Sequence, residues 1–234
     1  MPESKMLLTP AVAGVAGLVY VTSRITSPNL TASAFNSWYN NIHIPEILKS
    51  NTTSLVVRYK VIPQSTSSIP PWHYLALYKT SDVGSISNAA AQYLEAGMVE
   101  FHVDSWVPIQ TFESLREKRG DVPKGRPKVQ VPVKIEPATG EAGTQHVEEW
   151  YRKQHLDMFS MTPNYRRTTR YTSADGSIPK YLALHELDTD YMDPYQGDVL
   201  MGTEWATMVM KELLIFEPSK WEIIYEAGNV SEKL

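Results

Sequence analysis

Apolar residues recur in two rhythms along this chain. From Leu18 to Ile25 they form a short run, rich in β-branched side chains, of the kind that makes a strand, and Ser27-Pro28-Asn29 breaks it. Phe35, Trp38, Tyr39 and Ile42 then fall at i, i+3, i+4 and i+7, the stripe of an amphipathic helix, with Thr31 or Ser33 as its cap. Pro45 lacks a backbone donor just past His43, so it should end or kink that helix. Strands are predicted over 54–62, 73–80 and 107–114; the second carries a Tyr74-x-Ala76-x-Tyr78 alternation. A Ser/Pro-rich loop at 63–71 and a helix over 85–100 separate them. After a charged stretch the order returns: strand 129–135, a helix capped by Thr144 and running to about Met158, strands 165–172 and 181–187, a helix over 203–214, and a last strand at 222–227.

The return is visible in the residues themselves. Trp38-Tyr39-x-x-x-His43 reappears as Trp150-Tyr151-x-x-x-His155, and Arg58-Tyr59 reappears at the same spacing as Arg170-Tyr171. Tyr74-Leu75-Ala76-Leu77 matches Tyr181-Leu182-Ala183-Leu184. An ordered series of matches points to a duplicated unit. The expected architecture is α+β: two fused ferredoxin-like β-α-β-β-α-β repeats, residues 14–115 and 129–230, joined by a linker at 116–128 that holds Gly120, Pro123, Gly125 and Pro127. A single sheet of this kind leaves one face bare. Two copies bury those faces together, giving an intrachain pseudo-dimeric α+β barrel.

Composition narrows the function classes. The 234 residues carry a formal charge of −4, and no basic run interleaves with aromatics, which argues against nucleic acid. The absence of cysteine excludes disulfides, thiolate metal sites and cysteine nucleophiles, and fits a cytoplasmic protein. The apolar stretch from Met6 to Val21 is short for a membrane span and is interrupted by Thr9 and Pro10, so it reads as a loose tail leading into the first strand rather than as a signal. There is no G-x-G-x-x-G, no phosphate loop and no serine-hydrolase elbow. The expectation is therefore a small-molecule partner, no nucleic acid, no membrane, no metal and no cofactor, in a monomer or homodimer.

What remains for chemistry is histidine and tyrosine. Tyr39 and His43 lie four apart on one helical face, as do Tyr151 and His155. Histidine exchanges protons near neutrality, and the end of a helix favours its charged form. A tyrosine one turn away can orient the ring or donate to an enolate oxygen. His43, Tyr39, His155 and Tyr151 are the catalytic candidates. Trp38 and Trp150 are pocket wall or core, Arg58 and Arg170 can bind a carboxylate, and His73 opens the third strand as a further substrate-binding candidate. His102 and His146 read as surface residues, and His185 closes the strand equivalent to that of His73. The same pattern also suits a core in which the rings only pack, so a binding protein without catalysis is the competing expectation.

The motif Phe35-x-x-Trp38-Tyr39-x-x-x-His43-Ile44-Pro45 resembles the helix motif of EthD-domain proteins in the dimeric α+β barrel superfamily. Pro163-Asn164-Tyr165-Arg166-x-x-x-Arg170-Tyr171 and Lys180-Tyr181-Leu182-Ala183-Leu184-His185-Glu186 are similar to strand motifs of tandem EthD-like proteins of filamentous fungi. The resemblance spans roughly Gly14 to Gly228. It implies a pocket between sheet and helices in each half, with His43 and His155 beside it. It also implies a role in polyketide-like secondary metabolism, as a cofactor-independent cyclase or decarboxylase. Quinone-forming oxygenases, heme-active members and proteins without activity occur in the same superfamily. The second half lacks the His-x-Pro of the first, since Asp157 stands where Pro45 does.

Overall fold

The structure, a computed structural model, describes residues 14–63, 71–84 and 97–234. Among the described residues nine strands form one mixed-length, wholly antiparallel sheet: β1 (Gly17–Ile25), β2 (Thr53–Val61), β3 (Tyr74–Thr80), β4 (Val99–Glu113), β5 (Val129–Glu136), β6 (Tyr165–Ser173), β7 (Tyr181–Leu187), β8 (Ile215–Pro218) and β9 (Trp221–Gly228). Their order is β7-β6-β4-β1-β3-β2-β9-β5-β8, and a further pairing of β7 with β5 closes the ring. Two strands reach across it. β4 pairs with β1 from Val99 to Trp106 and with β6 from Trp106 to Glu113. On the far side β9 pairs with β2, while β8 continues along β5. The fold is thus α+β with an antiparallel sheet.

Strand alternation divides the residues between two faces. Leu18, Tyr20, Leu55, Val57, Tyr59, Leu75, Leu77, Trp106, Tyr171, Leu182, Leu184 and Trp221 share one interior core. Leu234 joins it, because residues 229–234 run across one mouth of the ring. That strap is held where Lys79 and Arg126 donate to its carbonyls and Lys233 pairs with Glu113. The opposite face carries the helices. α1 (Ala32–Trp38), a π-turn (Tyr39–His43) and α2 (Ile44–Lys49) bury Phe35, Trp38, Tyr39, Ile44 and Ile47 against Val19, Val56 and Ala76. α4 (Glu141–Trp150), a second π-turn (Tyr151–His155) and α5 (Leu156–Ser160) do the same against Val133, Ile135 and Ala183, together with α7 (Glu204–Glu212). Short helices α3 (Leu115–Arg119) and α6 (Pro194–Met201) complete the set. No helix among the described residues is long and apolar enough to cross a membrane.

Several elements differ from expectation. Pro45 does not end the helical run. It sits in the first turn of α2, where its missing donor is tolerated, and the helix continues to Lys49. The π-turn is not the proline's doing, since the second half makes one without it. Thr31 is the first cap; its hydroxyl accepts from the Ala34 amide. The second helix starts at Glu141 after Gly140, ahead of Thr144. Strand β4 begins at Val99, within the segment expected to be helical; the rest of that expected helix, 85–96, lies outside the described residues, as do most of the 63–71 loop and the tail through residue 13. The expected linker opens with helix α3, capped by Ser114. α6 and β8 had no counterpart in the sequence reading.

Candidate functional site

The two π-turns decide how the aromatic motif is arranged. A wider turn brings residues five apart face to face, beside the usual four-apart neighbours. Trp38 therefore stacks on His43 with ring centroids 5.1 Å apart, and Tyr39 meets the same imidazole edge-on at 4.8 Å. Strand β3 supplies the polar end. The Tyr78 hydroxyl lies 2.5 Å from the Tyr39 hydroxyl and 3.3 Å from His43 Nε2, forming a chain Tyr39–Tyr78–His43. Burial raises both phenols above their ordinary value, so they stay protonated. Burial likewise pushes the His43 imidazole down to about 4, partly offset by Glu46, so the ring is neutral at pH 7. The helix continuing past His43 removes the C-terminal dipole that the sequence reading invoked to favour a charged ring.

Arg58 closes this cluster from β2. Its guanidinium lies 4.0 Å above the Tyr39 ring centre. Nη1 donates to Asn40 Oδ1 at 2.6 Å and Nη2 donates to Asn36 Oδ1 at 2.8 Å. The side chain is fully buried. Arg58 Nε, His43 Nδ1 and Trp38 Nε1 are buried without a partner among the described residues.

The second half repeats the frame with different polar partners. Trp150 and Tyr151 flank His155 at 4.3 and 4.9 Å, and Arg170 lies 4.4 Å from the Tyr151 ring centre. At the position of Tyr78 stands His185. It does not reach His155 by a hydrogen bond; its Nδ1 lies 2.7 Å from the Thr168 hydroxyl, which accepts from Tyr165. Burial pushes His155 down to about 3 and holds His185 well below the ordinary histidine range. Arg170 has a carboxylate: Nη2 donates to Glu148 Oε1 at 2.5 Å, Nη1 to Glu148 Oε2 at 3.2 Å and to Gln110 at 2.9 Å. Beside this pair a pocket of about 360 Å³ is lined by Ile109, Gln110, Glu148, Arg152, Thr172 and Tyr181. A second, apolar one of about 270 Å³ is lined by Met158, Met161, Thr162, Tyr195, Val199 and Leu200, among others.

Of the residues singled out from sequence, the structure groups Tyr39, His43, Trp38 and Arg58 in one cluster and Tyr151, His155, Trp150 and Arg170 in another. His73 joins neither; it precedes β3, and its backbone bonds Ser23 and Val61. His102 and His146 are surface residues paired with Asp104 and Glu212. Among the described residues no three metal-ligating side chains converge. Sequence reading missed Tyr78, His185, Asn36, Asn40 and Glu148. Tyr78 carried a signal, since it shares a strand face with Tyr74 and matches His185 in the repeat. Asn36 and Glu148 stand three residues before the motif tyrosines, one turn back on the same helical face.

No protein-family model matches the sequence. Core atranone cluster (CAC) protein 1 of Stachybotrys chlorohalonatus is 24% identical over 221 residues, covering 84% of this chain and 92% of that protein. Among solved structures, a mutant chlorite dismutase from Candidatus Nitrospira defluvii superposes with a TM-score of 0.62 at 11% identity, covering 96% of both chains. A monooxygenase-like protein from Fusobacterium nucleatum gives 0.57 at 6% identity, covering 92% of this chain and 96% of that one. An anthrone oxidase-like protein gives 0.55 at 10%, covering 93% and 95%. The likeness to these three structures is one of fold.

Proposed function

We propose that this chain is an enzyme of fungal secondary metabolism that moves protons on an oxygenated aromatic or β-keto metabolite, as a cyclase or decarboxylase working without a cofactor. In this reading residues 14–115 and 129–230 are fused ferredoxin-like repeats that back onto each other as a pseudo-dimer. The observation that carries it is the Tyr39–Tyr78–His43 chain, a continuous path for a proton between two phenols and an imidazole. The similarity to an atranone cluster protein supports the metabolic setting.

A β-keto acid or polyphenol contains its own electron sink, so ring closure or loss of carbon dioxide needs only proton transfers and a stabilised enolate. His43 is neutral at pH 7 and can accept a proton; a substrate anion beside it lifts its affinity for that proton. Tyr39 and Tyr78, both protonated, can donate to the enolate oxygen. The test is incubation of the purified protein with a panel of enolisable polyphenols and β-keto acids, with products read by mass spectrometry. Turnover should fall by about 10²–10⁴ in His43→Ala. Unchanged turnover in the His43→Ala/His155→Ala double variant overturns the mechanism.

The second reading is a binding or escort protein, and the second half favours it. His155 is ringed by Trp150, Tyr151, Phe159 and His185, and His185 bonds Thr168 where Tyr78 bonds His43, so this half lacks the proton path of the first. A heme-active role demands a larger displacement of the helical cover than a small substrate of His43 does: His43 and His155 are only 4% and 6% exposed, and a whole macrocycle would have to fit beside the ring.

A further inference from the structure

The two arginines occupy matching places. Arg58 pairs with Ala76 on one side and Tyr225 on the other; Arg170 pairs with Ala183 and Gln110. Each lies over the motif tyrosine of its own half. Their charges are treated differently. Arg170 is neutralised by the carboxylate of Glu148, which grips both terminal nitrogens. Arg58 meets two amide oxygens, from Asn36 and Asn40, and has no carboxylate partner among the described residues. A buried guanidinium without a counter-ion is costly. Its Nε also lacks a hydrogen-bond partner among the described residues.

We propose that Arg58 is a carboxylate-binding subsite, and that an organic monocarboxylate there takes the place that Glu148 fills on Arg170. The second half displays the loaded geometry with the protein's own carboxylate. The ligand's two oxygens displace Asn36 Oδ1 and Asn40 Oδ1 and accept from Nη2 and Nη1, the fork geometry that suits an arginine. The approach is from the outer side of the helix, where Asn36 and Asn40 are half-buried and Tyr74 and Tyr225 frame them. The counterpart of this surface, around Glu148, opens into the 360 Å³ pocket.

The subsite rests on the reading of the first half as the substrate site, and it sharpens that reading. A carboxylate gripped by arginine is stabilised in the bound ground state, which disfavours its loss. It serves as the anchor and not the leaving group, so the substrate class is an aromatic or polyketide-like acid that keeps its carboxylate through ring closure. The second half, which neutralises itself, binds no such acid.

The test uses the full-length protein and two probes, 2-naphthoate and its neutral analogue naphthalene-2-carboxamide, in calorimetric titrations and thermal melts. Wild type should bind the acid at least tenfold more tightly than the amide. Asn36→Glu supplies an internal counter-ion; it should melt higher than wild type and lose tenfold or more in affinity for the acid. Asn36→Gln keeps the partner neutral and should retain the preference for the acid over the amide that Asn36→Glu loses. Glu148→Gln exposes the second arginine, and 2-naphthoate should restore part of the lost melting temperature. Equal binding of acid and amide by wild type, or undiminished acid binding by Asn36→Glu, overturns the subsite. These readouts need no turnover, so an inactive panel of substrates combined with selective acid binding would overturn the catalytic reading and leave the subsite standing.

Discussion

The hydroxyls of Tyr39 and Tyr78 lie 2.5 Å apart in a buried setting, one from a π-turn and one from a strand. Tyr78 also reaches His43 Nε2, so it ties both the tyrosine and the histidine of the π-turn to the sheet. Tyr78→Phe keeps the ring and removes that junction. It should cost about 1–3 kcal/mol by leaving a buried hydroxyl unpaired, seen in urea unfolding. It should also lower turnover as severely as His43→Ala, whereas a relay that ends at Tyr39 would leave turnover intact.

The depressed histidines set a pH dependence. His43, His155 and His185 all bind a proton more weakly folded than unfolded, so between about 6.5 and 4 the unfolded state carries more protons. Their contribution is fully present above pH 6.5 and is lost progressively as pH falls towards their folded values. Each should remove about 1.4 kcal/mol per pH unit in that window. Urea unfolding at pH 7 and pH 5 measures the loss. His155→Leu should reduce the difference between the two pH values relative to wild type.

Gly17 and Gly228 sit where side chains cannot. A Cβ at Gly17 would run into the Trp106 carbonyl across the β1–β4 pairing, and one at Gly228, which also holds φ at +87°, into that of Ser54. Gly17→Ala and Gly228→Ala should each destabilise by about 1–3 kcal/mol. In a chain of this size that lowers the melting temperature by about 2–4 °C per kcal/mol. Gly125→Ala, where nothing lies within 4 Å of the added atom, isolates the backbone effect alone.

Leu234 fills the interior core from the strap at the mouth of the ring. Leu234→Ala should cost about 2–5 kcal/mol, the usual range for a buried leucine. Lys233→Met, which removes an exposed partner of Glu113 and Glu117, should cost under about 1 kcal/mol. Denaturant midpoints of the two variants provide the comparison.

Much of the fold was legible because burial on one face writes itself as period. Alternation over Tyr74–Thr80 and Tyr181–Leu187 located β3 and β7, and the Phe35–Ile42 stripe located α1. What periodicity cannot record is a change of pairing partner within a strand. β4 takes β1 and then β6; its first two residues fall in a presumed helix and 101–106 in no element, and only the part that pairs with β6 reads as a strand. The site was legible in its rings but not in its polar wiring. Trp38, Tyr39 and His43 announce themselves by spacing, whereas the link to Tyr78 depends on a helix docking over a strand 35 residues on. The contrast between Asn36 and Glu148 acquires meaning only beside a buried guanidinium.

β4 and β9 have a mechanical consequence. Because each is stitched to strands from both ends of the chain, the N- and C-terminal portions cannot part like a clamshell without tearing backbone ladders. A protease nick near Gly120–Gly125 should therefore leave two fragments that stay clasped and melt together. A ligand of Arg58 or His43, as proposed above, would enter by small displacements of the helical cover, through the shell, while the ring stays shut.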